Sequence, residues 1–149
     1  MKADLRRVDL HMHSTFSDGV LTPEELVREC AGSGIGLMAL TDHDTFAGSD
    51  RLYNSFTAVP VIPGIELSMN DAHGLHLLGY GLTEAVPLRQ KVLQLEQNRI
   101  DRAKEMLRRL AKLGMPLDWN ELVRRSSGSL GRPHIARAMV HAGYVGSMQ

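Results

Sequence analysis

The chain contains a single cysteine, Cys30, among 149 residues. No internal disulfide can form, and a reducing cytoplasm is the expected compartment. Cys30 falls within a predicted helix, where a buried inert thiol is expected rather than a nucleophile. No uninterrupted apolar run approaches the ~20 residues that span a bilayer. The start, Met1-Lys2-Ala3-Asp4-Leu5-Arg6-Arg7, has none of the apolar core of a signal peptide, so no membrane partner is expected. There is no internal repeat and no low-complexity tract. Net charge is missing too, with 17 Lys and Arg against 17 Asp and Glu. That zero conceals an asymmetry. Residues 1–86 carry five basic against twelve acidic side chains, a balance of −7, and residues 87–149 carry twelve against five, a balance of +7. An acidic, histidine-rich half beside an arginine-rich half suits metal ions on one side and an anionic substrate on the other. Two merely different solvated surfaces would give the same count.

The remaining composition, 43% hydrophobic and 23% charged, is that of a globular domain with a real core. Its most informative stretch is Asp9-Leu10-His11-Met12-His13-Ser14, followed by Ser17-Asp18-Gly19. On a strand, Val8, Leu10 and Met12 would face one way and Asp9, His11 and His13 the other. Polar groups ending an otherwise buried strand are costly unless they bind something. For paired imidazoles the natural occupant is a divalent metal.

The first half reads as strand, helix, strand, loop, strand, strand. The first strand is Val8–His13. A helix begins after Thr22 as N-cap, with Pro23 in its first position and Glu24 and Glu25 in its first turn, and ends around Gly32–Gly34. Further strands are predicted over Gly36–Thr41, over Val59–Leu67 with prolines suited to an edge or irregular start, and over Leu75–Tyr80. This order implies parallel α/β organisation with a site beyond the carboxyl ends of the strands. From Pro87 the texture turns helical. A long amphipathic helix runs to about Leu113, a short one covers Asp118–Arg125, and a last one starts at Arg132-Pro133 and ends before Gly143. The organisation is therefore two segments, 1–86 and 87–149.

Each of the four strands carries a candidate ligand at or near an end: His11 and His13 with Asp18 just beyond, then His43, then Glu66, then His76. Imidazole mixed with carboxylate suits Zn, Mn or Fe, and Glu66 can bridge two ions. Asp9, Asp42 and Asp44 are read as groups that orient the imidazoles.

These segments resemble the PHP family, the polymerase and histidinol phosphatase superfamily of metal-dependent phosphoesterases. The matching residues are Asp9-Leu10-His11-Met12-His13-Ser14 with Ser17-Asp18-Gly19, Thr41-Asp42-His43-Asp44, Pro63-Gly64-Ile65-Glu66 and His76-Leu77-Leu78-Gly79. The resemblance implies a distorted (β/α)7 barrel and a cluster of up to three divalent ions. It assigns His11, His13 and Glu66 to one ion, Glu66 and His76 to a second, and Asp18 and His43 to a third, and these six residues form the expected catalytic set. Arg99-Ile100-Asp101-Arg102 and Gly131-Arg132-Pro133-His134 resemble elements of the branch acting on nucleoside 3′,5′-bisphosphates and RNA 5′ ends. They imply Arg99, Arg102, Arg132 and His134 as substrate-binding residues, within a helical insertion.

Helical geometry bears on Arg99 separately. At about 100° per residue, Leu88, Val92, Leu95, Ala103, Met106, Leu110 and Leu113 form one apolar stripe with Arg99 near its centre. A guanidinium there needs an anion, and its planar fork suits phosphate. A structural carboxylate or a snorkelling surface arginine would also explain it. Arg108, Arg109 and Lys112 read as solvated charge, His73 and His141 as surface residues, and Trp119 as packing in the helical layer.

The family pattern continues past the Gly-Arg-Pro-His helix to another metal-binding histidine and a final Asp-x-His pair, which this chain does not contain. The expected fold is thus the N-terminal portion of the barrel plus the helical insertion, with the barrel incomplete and strand edges unpaired. The expected activity is hydrolysis of a phosphate ester by a metal-activated water. A truncated product, a partner chain or self-association completing the barrel, and weaker metal binding by the remaining ligands all stay open. So do a non-catalytic metal-binding fragment, a histidinol-phosphate phosphatase and a proofreading exonuclease module.

Overall fold

A computed structural model describes residues 7–53, 55–69, 75–81, 86–126 and 128–148. Four strands, β1 (Val8–Met12), β2 (Leu37–Leu40), β3 (Val61–Ser68) and β4 (His76–Tyr80), form one sheet in that order. β1, β2 and β3 are parallel and β4 runs antiparallel to β3. The helices are α1 (Pro23–Gly32), α2 (Ala47–Leu52), α3 (Val86–Lys112), α4 (Trp119–Arg125) and α5 (Arg132–His141). No helix among the described residues is long and apolar enough to cross a membrane.

Local chemistry accounts for the helix boundaries. Thr22 Oγ1 accepts the Glu25 N–H, and Glu25 Oε2 accepts the Thr22 N–H at 2.8 Å, a reciprocal cap that satisfies two donors at the start of α1. Asp118 caps α4 by accepting the Glu121 N–H at 2.6 Å. The segment expected to be a loop between β2 and β3 contains α2. It is six residues long and buries Gly48, Ser49 and a single large apolar residue, Leu52, rather than an apolar stripe, so periodicity could not reveal it.

Val27, Cys30, Met38, Leu40, Leu52 and Val59 form the core under the sheet. Burial pushes the Cys30 thiol pKa up, which leaves it a packing residue. The apolar face expected to be buried on β1 is not: Val8 and Leu10 are exposed, and only Met12 packs against the core. β1 is the edge of the sheet, and its register against β2 slips by one residue between Asp9 and Met12. The slip breaks the simple alternation assumed from the sequence.

α3 serves two cores. Its first turns place Leu88 and Val92 against Phe46 and Ile65, beside the sheet. Its second half places Ala103 and Leu107 against Leu122, Leu130 and Ile135. The predicted stripe is right except at its end. The helix stops at Lys112, Leu113 is exposed, and Leu107 takes the buried position instead. Trp119 packs partly buried on this second cluster. Arg108 and Arg109 are exposed and paired with Glu105. His141 is exposed and contacts Arg125, while His73 lies outside the described residues.

Candidate metal centre

β3 carries Glu66 near its carboxyl end, where the carboxylate is buried. The chain beyond β2 continues the parallel pairing for two more bonds: the Glu66 N–H donates to Asp42 O and the Asp44 N–H to Glu66 O. This sets His43 directly opposite Glu66. Because β4 is antiparallel, its first residue, His76, comes back to the same end of the sheet, in register with Ser68.

Four imidazoles therefore surround one carboxylate. Glu66 Oε2 lies 2.7 Å from His11 Nε2, 3.0 Å from His13 Nε2 and 3.6 Å from His43 Nδ1. Glu66 Oε1 lies 2.5 Å from His76 Nδ1. Asp18 completes the cluster, 3.5 Å from His13 Nδ1 and 3.7 Å from His43 Nε2. The donors fall into three overlapping triads: His11, His13 and Glu66; His13, Asp18 and His43; and His43, Glu66 and His76. All six residues expected as ligands are brought together, with His13, His43 and Glu66 each shared between triads.

The electrostatics favour open coordinating groups. Burial alone would raise the Glu66 carboxyl pKa, but hydrogen bonds from His11 and His76 outweigh it and hold the group below its ordinary value. Glu66 is therefore a carboxylate at neutral pH. Burial, followed by the Arg99 charge, pushes His43 down to about 4, so its ring is neutral. His43 Nδ1 is buried with no hydrogen-bond partner among the described residues. A buried lone pair without a donor is costly in a purely structural cluster and is what a ligand atom requires.

Of the acidic residues expected to orient imidazoles, Asp42 reaches one through Ser17, and Asp9 and Asp44 act otherwise. Asp9 accepts the His11 backbone N–H within the slipped part of β1. Asp42 is fully buried and accepts the Ser14 N–H, the Ser14 hydroxyl and the Ser17 hydroxyl at 2.6–2.7 Å. It reaches an imidazole only through Ser17, whose Oγ lies 3.3 Å from His13 Nδ1. Space beside Asp42 is tight: a Cβ on Gly48 would lie 2.1 Å from Asp42 Oδ2. Asp44 accepts the Ser68 N–H and forms an ion pair with Arg99, not with a histidine. The roles of Asp42 and Asp44 depend on long-range packing, and no local pattern signals them.

A cavity of about 300 Å³ opens onto Asp18, His43 and His76 and is bordered by Arg99, Arg102 and Arg132. Arg102 and Arg132 are exposed. Arg99 is anchored through Nε on Asp44 and Nη2 on Ser68, and its Nη1 makes no hydrogen bond among the described residues. His134, expected beside these arginines, is placed elsewhere. Its Nδ1 accepts the Gly131 N–H at 3.1 Å, and its ring lines a different cavity with Arg137.

Comparison with known proteins agrees with this geometry. The PHP domain family model matches residues 9–99. The chain is 36% identical over 144 residues to a 5′-3′ exoribonuclease of Haemophilus influenzae, covering 94% of this chain and 53% of that protein. It is 31% identical over 151 residues to the 3′,5′-nucleoside bisphosphate phosphatase of Chromobacterium violaceum, covering 97% and 53%. The crystal structure of a metal-dependent phosphoesterase of Bifidobacterium adolescentis superposes with a TM-score of 0.83 at 28% identity, over 96% of this chain and 53% of that one. The chain thus spans about half the length of the curated relatives it matches, and its fold corresponds to an incomplete PHP barrel.

Proposed function

The chain belongs to the PHP domain family, and from that premise we propose that it serves metal-dependent hydrolysis of a phosphate ester on nucleoside 3′,5′-bisphosphates or RNA 5′ ends. One observation carries the reading: Asp18, His43 and His76, donors from two of the three triads, line a single cavity with the three arginines. The donors are nitrogen and oxygen only, and His43 Nδ1 has no hydrogen-bond partner among the described residues, so the residues fit Zn, Mn or Fe ions. Bound there, such ions would activate water and stabilise charge on phosphoryl oxygens.

The chain's own groups divide the remaining work. His11, His13, Asp18, His43, Glu66 and His76 would hold the ions, Glu66 being shared by two of the triads. Arg99 offers Nη1 from a fixed position, and Arg102 and Arg132 add charge at the rim, so a second phosphate is gripped away from the reacting one. Remote binding of this kind converts into specificity for a doubly phosphorylated substrate. His134 takes no part in that grip and stabilises the start of α5 instead.

The test is turnover of adenosine 3′,5′-bisphosphate and of adenosine monophosphate by the manganese-loaded chain, with bound metal measured by elemental analysis. Arg102→Ala should weaken use of the bisphosphate much more than the monophosphate. Equal losses on both would sink the phosphate-grip assignment. Metal binding without turnover would instead assign the chain a metal-binding role. Turnover of histidinol phosphate that ignores Arg102→Ala would move the substrate to that class. Exposed Val8, Leu10 and Leu77 on the outer strands favour self-association as part of the same reading, which sedimentation velocity would detect.

A further inference from the structure

The loop that carries Asp18 is fastened from two sides. On the inner side Asp42 holds Ser14 and Ser17, and Ser14 O accepts the Ser17 and Gly19 N–H groups at 3.0 Å. On the outer side the loop presents the Phe16 and Asp18 carbonyls, and the segment after α4 supplies a donor to each. The Ser129 N–H donates to Phe16 O at 2.7 Å. Arg137 Nη2 donates to Asp18 O at 2.9 Å, while its Nε donates to Pro133 O at 3.3 Å. The approach is close, since a Cβ on Gly128 would lie 2.0 Å from Phe16 O.

These polar contacts substitute for apolar packing. A cavity of about 460 Å³ lies between the loop residues Thr15, Gly19 and Val20 and the helical residues Leu122 and Ala138, and Val20 is largely exposed. The loop therefore has room to move outward and little buried apolar surface opposing it.

We propose that Arg137 is a positioning residue: by clasping the Asp18 carbonyl it fixes the Asp18 carboxylate within reach of His13 and His43. The inference rests on the reading of Asp18 as a metal ligand given above. It makes the His13, Asp18 and His43 triad dependent on α5, so the arginine-bearing helical segment and the metal site assemble together.

Two measurements on the full chain test this: amide hydrogen exchange of residues 15–19 without metal, and Mn(II) titration. Arg137→Gln should speed exchange at Ser17 and Gly19 and weaken Mn(II) binding, each about tenfold, with β2 amides unchanged. Arg137→Lys should rescue part of both losses, because one ammonium can serve the Asp18 carbonyl but not the fork to Pro133 as well. Asp18→Asn combined with Arg137→Gln should bind Mn(II) no more weakly than Asp18→Asn alone. The clasp is overturned if Arg137→Gln lowers the unfolding midpoint yet leaves loop exchange and Mn(II) affinity at wild-type values, or if the two losses add in the double variant. Should the wild-type chain bind no Mn(II), the functional proposal fails on its own, and unchanged loop exchange in Arg137→Gln then overturns the clasp.

Discussion

Arg99 enters the cavity wall already held by Asp44, whose side chain is 1% exposed against 11% for the guanidinium. Asp44 takes φ of 51°, a left-handed conformation that Asp and Asn tolerate better than most residues. That backbone turn lets its two carboxylate oxygens serve different partners, the Ser68 N–H and the Arg99 Nε. The cation is thus located by α3 and the carboxylate by the chain leaving β2. Of Arg99, Nη1 and the second N–H of Nη2 remain for a ligand, so the pair fixes where an incoming anion is gripped.

Asp44→Asn separates that tether from its charge. Asn keeps the shape and accepts the same backbone conformation, but leaves a mostly buried guanidinium without its counter-charge. Breaking such a pair from one side costs about 3–5 kcal/mol. Urea unfolding should show a loss of that size. A loss under about 1 kcal/mol, as at an exposed pair, would show that water compensates Arg99.

How far this was visible in the sequence depended on the range of the interaction. Thr22 with Glu25 is a local pattern and sits where a capping rule puts it, while His11 and His13 both reach Glu66 although the slip in β1 breaks the two-residue alternation. His43, Glu66 and His76 could be nominated from strand ends, yet their convergence needs β4 to run antiparallel, a pairing that no single strand encodes. A buried aspartate beside a histidine invites a direct imidazole partner, yet Asp42 reaches His13 only through Ser17 and Asp44 reaches no imidazole among the described residues. Their actual partners are Ser14 and Ser17 on another loop and Arg99 on a helix 55 residues away. His134 lay in a phosphate-like motif, but at the third position of α5 its ring is spent on the Gly131 N–H.

Gly48 should be intolerant of any side chain. A Cβ there would meet Asp42 Oδ2 at 2.1 Å and the Leu40 and Ser14 side chains at 3.0 Å. None of these can yield freely, because Asp42 is held by three donors and Leu40 belongs to the core. Gly48→Ala should therefore destabilise by about 1–3 kcal/mol, the usual cost of overpacking, and loosen the Ser14–Ser17 loop with it. Thermal unfolding would check the first effect and hydrogen exchange at Ser17 the second.

His134 gives the fold an acid sensitivity of known sign. Burial, then the nearby Arg137 charge, holds its pKa below the ordinary 6.5, and the neutral ring is the form whose Nδ1 accepts the Gly131 N–H. In the unfolded chain the ring binds a proton at higher pH than in the folded chain. Its contribution is thus complete above about 6.5 and is lost as pH falls through the lowered value. His43 adds a loss of the same sign between 6.5 and about 4. His134→Gln, which keeps an acceptor at the same helix position but cannot titrate, should show a shallower fall in stability from pH 7 to pH 5 than wild type. Identical slopes would rule out His134 as a source of the acid loss.

Ser17 links the buried aspartate to the ligand histidine, and its removal should separate metal binding from folding. Its hydroxyl donates to Asp42 Oδ1 at 2.6 Å, so its oxygen is free to accept from His13 Nδ1–H at 3.3 Å. That tautomer turns the Nε2 lone pair toward the Glu66 side of the cluster, where Nε2 lies 3.0 Å from Oε2. Ser17→Ala deletes both bonds and leaves Asp42 with its two Ser14 donors. The fold should lose about 1–2 kcal/mol, the scale of a hydrogen bond to a charged group. Mn(II) affinity should fall about tenfold, as when the outer partner of a ligating histidine is removed. Ser17→Thr restores the hydroxyl and should recover most of the affinity if its methyl group is accommodated. Calorimetric titration of the three proteins distinguishes the cases: equal Mn(II) affinity in Ser17→Ala and wild type would mean that His13 is oriented by its backbone alone.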